Sequence, residues 1–271
     1  MNIWVIGKMT SSNQLFNRPD IISGTVREKK SKPKKKLVKT FLLLVLLGGF
    51  FWFIFYSPIF QIKNITLEGV QANSDLIAEM NKFKGKNIFL MAVDSEKRNL
   101  IIKQPEIKDI VIWKGLPDTL KAKLTLRDKV LIWQSADRFY YVDGDGIAFK
   151  QRGPLALEEK NILLIIDKKN VLVNLGTQFL SPVFVKFVTQ LATDLPTISA
   201  QIQVPITLTN IDVEESTLQT TAQTAEGFKI LFDTTRPVDS QLAALKKVLS
   251  EHRSEVTEYV DVRVQGWAYY K

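Results

Sequence analysis

Catalytic sites draw on a short menu of side chains, and this chain of 271 residues is poor in them. It contains no Cys, which removes thiolate nucleophiles, thiolate metal sites and disulfides together. His252 is the single His, so a His-rich metal centre is excluded and a nucleophile–His–carboxylate relay has one candidate base. It falls near the end of an amphipathic segment, where an imidazolium suits the C-terminal end of a helix dipole, and a surface His is expected. Asp143-Gly144-Asp145-Gly146 has the look of a calcium loop. With Gly146 at the loop's sixth position, Tyr141 and Arg152 fall at the first and twelfth, where carboxylates are required. A tight turn is the better reading. Glu158-Glu159 pairs two carboxylates, but neighbours on a loop form a solvated face. The thirteen Gly residues make no GxxxxGK, GxGxxG or GxSxG pattern. The expectation is a non-enzyme with no metal, no cofactor and no small-molecule substrate.

Charge gives the next exclusion. The net charge of +9 suggests nucleic acid until it is located. The first forty residues hold ten basic residues against Asp20 and Glu28, a balance of +8, which leaves +1 for the rest. No basic face for nucleic acid is expected on the body. Phe41 to Phe60 reads FLLLVLLGGFFWFIFYSPIF with no charge, and twenty helical residues rise about 30 Å, the thickness of a hydrocarbon core. No small-residue cleavage site follows it, so it reads as an uncleaved anchor. Lys29 to Lys39 holds seven Lys and abuts the span, which retains it on the cytoplasmic side by the positive-inside rule. Residues 1–40 are thus a basic cytoplasmic tail touching lipid head groups, with Met1 and Met9 both open as the start. Residues 41–60 are the transmembrane helix, and 61–271 lie outside the cytoplasm.

The body reads as α+β. Phe60–Gly69 is a strand with a bend near Lys63–Asn64, where the apolar parity switches. Asn73 or Ser74 caps a helix carrying Leu76, Ile77, Met80 and Phe83, and Gly85 closes it. Asp94 or Ser95 caps a second helix through Leu100, Ile101 and Ile102, with Pro105 beyond. Ile110–Trp113 is a strand, Gly115–Asp118 a turn, and Leu120, Ala122, Leu124 and Leu126 alternate along a half-buried strand. Further on, Val130–Trp133, Phe139–Val142, Ile147–Phe149, Ile206–Val213, Leu218–Thr221 and Phe228–Phe232 read as strands, and Ile162–Ile166 and Val171–Val173 are short apolar runs around a Lys168-Lys169-Asn170 turn. Ser181-Pro182 starts a helix that Pro196 ends. Pro237 opens another, with Val238, Leu242, Leu245, Val248 and Leu249 on one stripe. Tyr259–Val264 returns as a last strand.

The order β-α-α-β-β over residues 61–128 resembles a POTRA domain. The residues carrying the likeness are Ile65-x-Leu67-x-Gly69, Gly85-x-Asn87-Ile88-Phe89 and Pro117-x-Thr119-Leu120-x-Ala122. Trp133, Tyr141-Val142-Asp143-x-Asp145-Gly146 and Tyr259-Val260-Asp261-Val262-Arg263 resemble parts of the β-rich second domain, here 129–271, of the bacterial FtsQ/DivIB division proteins. Leu116 stands where that family often has Trp, and Leu126-Arg127-Asp128-Lys129 where it often has Glu-Arg-x-Pro. The resemblance implies a non-enzymatic scaffold of the cell membrane at the division septum. Its implied partners are coiled-coil membrane proteins like FtsB (DivIC) and FtsL. The alternative classes are a POTRA-containing export or envelope-assembly factor, which would carry more POTRA modules and a barrel, and a membrane-anchored hydrolase using carboxylates.

Strand parity sharpens where a partner would sit. Val260, Val262 and Val264 share the side expected to face the core, and Tyr259, Asp261 and Arg263 share the other. As the last evident strand, this segment is expected at an open sheet edge, able to accept a partner's strand. The resemblance implies partner contacts at Tyr259, Asp261, Arg263 and the following Trp267.

Overall fold

The computed structural model describes residues 35–69, 74–153 and 162–271. The first 34 residues, Asn73 and the Glu158-Glu159 pair lie outside the described residues. Helix α1, Lys35–Tyr56, has a mean hydropathy of 2.3 over its most apolar window and buries none of it. It begins earlier and ends earlier than the expected 41–60. Lys35, Lys36 and Lys39 are good helix formers and extend it backwards. Pro58 ends it: the residue before a proline is pushed out of the α region, and Ser57 is extended, with ψ 135°. Pro58–Phe60 forms a single 3-10 turn.

The three-stranded sheet has the order β1-β3-β2, with β1 Asn64–Glu68 parallel to β3 Thr119–Leu126, and β2 Ile107–Gly115 antiparallel to it. The element order is β-α-α-β-β, with α2 Ser74–Asn81 and α3 Val93–Lys103 between β1 and β2. Leu120, Ala122 and Leu124 are buried as the alternation requires, against Leu76, Met80, Phe83 and Leu100 from the helical side. Three expectations need correction. The strand expected from Phe60 begins only at Asn64, although the bend falls where expected: the amides of Lys63 and Asn64 both donate to the Asp118 carbonyl, at 2.9 and 3.3 Å. Ile77 and Ile102 are exposed, because Leu76, Met80 and Leu100 already define the buried helix faces. Ala92, not Asp94 or Ser95, stands at the α3 N-cap, and no side chain caps that end. Gly85 does turn the chain after α2, at φ +81°.

The second sheet has nine strands in the order β12-β11-β10-β9-β8-β7-β4-β5-β6. In chain order these are β4 Leu131–Ser135, β5 Arg138–Val142, β6 Ala148–Arg152, β7 Leu163–Asp167, β8 Leu208–Val213, β9 Gln219–Thr224, β10 Lys229–Asp233, β11 Tyr259–Asp261 and β12 Tyr269–Tyr270. Helices α4 Pro182–Ile202 and α5 Val238–Glu251 bury their apolar stripes against one face of it. Val171–Val173 is not a strand. Asp167 accepts from the amides of Lys169 and Val171 at 3.0 and 2.6 Å, which turns the chain and leaves Leu172 exposed. Helix α4 starts at the expected Ser181 cap but does not stop at Pro196. A mid-helix proline costs about 3 kcal/mol. That cost is offset by burial of Leu195 and by the packing of Ile198 and Ile202 on the core. The helix ends instead at Gln203, left-handed at φ 55°, where the Ser199 hydroxyl donates to the Val204 carbonyl at 2.7 Å. Buried Gln241 of α5 stitches that helix to the end of β10, accepting from the Asp233 amide and donating to its carbonyl at 2.9 and 2.8 Å.

The Asp143 turn joins the two sheets. Asp143 accepts from the amides of Asp145 and Ile147 at 3.0 and 2.9 Å, as a tight turn demands. Its other oxygen takes Arg127 at 2.5 Å, and both side chains are nearly enclosed, 2% and 9% exposed. The same Arg127 donates through Nε to the Pro105 carbonyl at 3.0 Å. Lys108–Asp145 and Lys150–Glu106 pairs, at 3.0 and 2.9 Å, flank it. Gly146 has φ +78°, and a Cβ there would lie 2.1 Å from the Leu180 carbonyl oxygen, so only glycine fits the turn.

Candidate partner-binding edge

Strand β11 runs parallel to β10, with Ile230 opposite Val260. Val260 and Val262 are buried, as parity predicts, while Val264 is 46% exposed because the strand ends at Asp261 and the chain turns away. The expected open edge at this strand is corrected by β12. Val260 pairs with Tyr270 and Asp261 with Tyr269 on its outer side. The amides of Thr257, Glu258 and Tyr259 converge on the Lys271 carbonyl at 2.8, 2.6 and 3.2 Å, and Lys271 donates back to Tyr259 at 3.1 Å. The outermost strand is therefore β12, and its far side carries no strand among the described residues.

Asp261 and Arg263 form a bidentate pair, with Nε and Nη2 donating to the two carboxylate oxygens at 2.9 and 2.7 Å. Nη1 reaches Gln219 on β9 at 2.8 Å. Burial works to raise the Asp261 pKa, but the hydrogen bonds from Arg263 outweigh it and hold the carboxyl below its ordinary range. The guanidinium is shifted up in turn, chiefly by its hydrogen bond to Asp261.

Trp267 belongs to a different surface. Two-thirds exposed, it lines a groove of about 750 Å³ between the 262–268 loop and α5, with Val264, Ala244, Lys247 and His252. Arg263 instead lines a groove of about 540 Å³ with Leu231, Gln219 and Glu214. Of the four expected contact residues, Arg263 and Trp267 each line one of these grooves, while Tyr259 and Asp261 line neither. Arg236 anchors the loop by donating to the Arg263 carbonyl.

The expectation missed Tyr269 and Tyr270 and what holds them. His252 sits at the C-cap of α5, as its position suggested, and its ring stacks on Tyr270 with centroids 5.3 Å apart. Nδ1 meets Glu255 at 2.9 Å, and the Tyr270 hydroxyl donates to the same carboxylate at 3.1 Å. The His252 bond, then the Tyr270 bond, hold the Glu255 carboxyl below its ordinary range despite some desolvation. The signal available was Gly266-Trp267 read as a turn, with Tyr-Tyr as its returning strand. Among the described residues no three His, Asp or Glu side chains gather to hold a metal. Free backbone on an outer strand, an exposed Trp beside an apolar groove and oriented charges are the means of polypeptide recognition.

An N-terminal apolar helix of spanning length followed by a β-rich α+β body fits a single-pass membrane protein. No protein-family model matches the chain. It is similar to the cell division protein FtsQ of Rickettsia conorii, 28% identical over 139 residues, covering 43% of this chain and 51% of that one. It is also similar to the cell division protein DivIB of Clostridium acetobutylicum, 34% identical over 97 residues (35% of this chain, 39% of that one). FtsQ of Corynebacterium glutamicum is 27% identical over 107 residues, 39% and 46% of the two chains. The chain thus resembles cell division proteins named FtsQ and DivIB over 35–43% of its length. The matched segments span about a third to a half of the relatives' own lengths.

Proposed function

We propose that this protein is a non-enzymatic, membrane-anchored scaffold of the division septum, with its N-terminus in the cytoplasm and its body outside. Residues 61–128 serve as a POTRA domain and 129–271 as the partner-binding domain. The partners are coiled-coil membrane proteins of the FtsB/DivIC and FtsL kinds. The observation that carries this reading is the terminal edge. A short outer strand of two residues, exposed backbone beyond it and the grooves at Arg263 and Trp267 suit an added strand and its flanking side chains. Tyr259, Asp261, Arg263 and Trp267 are the proposed contacts.

The test is co-purification of FtsB-like and FtsL-like proteins with the tagged full chain from native membranes, alongside imaging of a fluorescent fusion. Tyr259→Ala and Trp267→Ala remove side-chain surface without touching the Asp261–Arg263 pair. Each is expected to cut partner recovery severalfold while thermal unfolding stays nearly unchanged, and the unmodified fusion should gather at midcell. Partner recovery unaffected by both substitutions refutes the edge. A fusion that stays uniformly around the cell through constriction refutes the scaffold.

A further inference from the structure

The end of the body next to α1 carries large apolar side chains in the open. Ile59, Leu90 and Leu116 are 48%, 65% and 62% exposed, and Phe89 is 39% exposed. They come from three separate segments, yet the hydrogen bonds draw those segments together. The Asn87 side-chain amide donates to the carbonyls of Ile54 and Phe55, at 2.8 and 3.0 Å, and so caps the last turn of α1. The Asn87 oxygen accepts from the Phe89 amide at 2.8 Å. Phe60 contacts Phe53 and Phe89 edge-on, with centroids 5.9 and 5.2 Å apart, and the Ile88 amide donates to the Phe60 carbonyl at 2.8 Å. Lys114 Nζ donates to the Met91 carbonyl at 2.8 Å, and the turn bearing Leu116 follows it.

This geometry sets a depth. Helix α1 has 22 residues, and at about 1.5 Å each it is about 33 Å long, matched to a hydrocarbon core. Trp52 and Tyr56, exposed and stacked 6.2 Å apart, are the aromatic pair that marks the membrane–water boundary at its C-terminal end. Asn87 touches carbonyls between those two aromatics, so residue 87 stands at the depth of the boundary itself. Leu90, three residues on, lies at most about 10 Å from there. The headgroup layer occupies roughly 5–8 Å on each side of the core.

We propose that this end of the body is a lipid-docking surface, with Ile59, Phe89, Leu90 and Leu116 immersed in the interfacial layer. It rests on α1 spanning the membrane and is independent of the partner-binding edge. The occupant is lipid, because Asn87 ties the segment bearing Phe89 and Leu90 to the last turn of α1, between the boundary aromatics. Lys63 and Lys86, each at least half exposed, are paired with Asp118 at 3.8 Å and Glu96 at 3.3 Å, so the apolar side chains and not free cations carry the docking.

The absence of Cys makes the test direct. Full chain carrying Leu90→Cys or Leu116→Cys is spin-labelled and reconstituted in phosphatidylcholine–phosphatidylglycerol vesicles. Collisions with oxygen, which concentrates in lipid, are compared with those of a water-soluble nickel chelate. Val45→Cys reports the span, and Val183→Cys, exposed on α4, reports open water. Labels at 90 and 116 are expected to favour oxygen severalfold more than the label at 183, and less than that at 45. Values at 90 and 116 equal to those at 183, with 45 in lipid, overturn the docking surface and leave the span intact. A water-like label at 45 overturns the span and the inference with it. Shielding from both reagents that fades as protein is diluted into more lipid assigns the patch to a second copy and also overturns the proposal.

Discussion

The joint between the two sheets and the terminal edge of the second sheet both use an Arg–Asp pair, under opposite conditions. At the joint, Arg127 and Asp143 are nearly enclosed; two backbone amides donate to the other Asp143 oxygen, and Arg127 Nε donates to the Pro105 carbonyl. At the edge, Asp261 and Arg263 lie two residues apart on a surface, with side chains 15% and 32% exposed. Water already solvates part of the second pair, so losing one member costs little. A charge left alone at the joint has no such relief. The body therefore combines a stiff connection between its sheets with an edge held by two paired residues on β12. Such an edge is expected to open at lower cost than the joint.

The largest expected effect comes from breaking the joint on one side. Arg127→Met leaves Asp143 buried without its counter-ion and should cost about 3–5 kcal/mol of unfolding free energy. Urea titration of the full chain in micelles, followed by the fluorescence of buried Trp133, measures it. A loss under about 1 kcal/mol, the range of an exposed pair, would mean the joint is as wet as the edge and erase the contrast.

Removing the edge itself should cost less. Deleting residues 267–271 strips the acceptor shared by the amides of Thr257, Glu258 and Tyr259. Each net hydrogen bond is worth about 0.5–1.5 kcal/mol and these share a single carbonyl, so a loss of about 1–2 kcal/mol is expected. Hydrogen exchange should accelerate at those three amides and stay unchanged at Asp145 and Ile147 in the joint. Equal acceleration at both places would show that edge and joint open together.

How far these two regions were legible in the sequence follows the same division. Strong periods were readable: Leu120, Ala122 and Leu124 alternate, and the Val238–Leu249 stripe of α5 is buried throughout. The Asp143 turn was readable because its glycines and acids act locally. Its function as a joint was not, since Arg127 lies sixteen residues away and nothing local links them. The run of α4 through Pro196 was hidden because burial of Leu195 and packing of Ile202 overrode a local penalty. Strand β12 escaped because two residues carry no period, and its discovery moves the open edge one strand outward from where Tyr259–Val264 placed it.

The smallest expected effect concerns the clasp on β12. Hydrogen bonds from His252 and Tyr270 hold the Glu255 pKa below its ordinary value. A depressed folded-state pKa favours the charged form in the native structure. Its contribution is therefore complete above the ordinary glutamate range and is lost as pH falls through the lowered value. The Tyr270 amide resonance of the full chain in micelles should shift as pH falls through that lowered range. Asp261 is depressed too and titrates in the same region, so the wild-type shift alone does not identify its source. Glu255→Gln separates the two. Its neutral amide has no acid step, so Tyr270 should lose most of the shift while Arg263, bonded to Asp261, keeps its own. Because Glu255 is exposed, global stability should scarcely change, and the effect should stay on β12. A variant whose Tyr270 resonance titrates as before would show that the clasp does not hold the strand, leaving β12 secured by its pairing with β11 and the Lys271 backbone bonds.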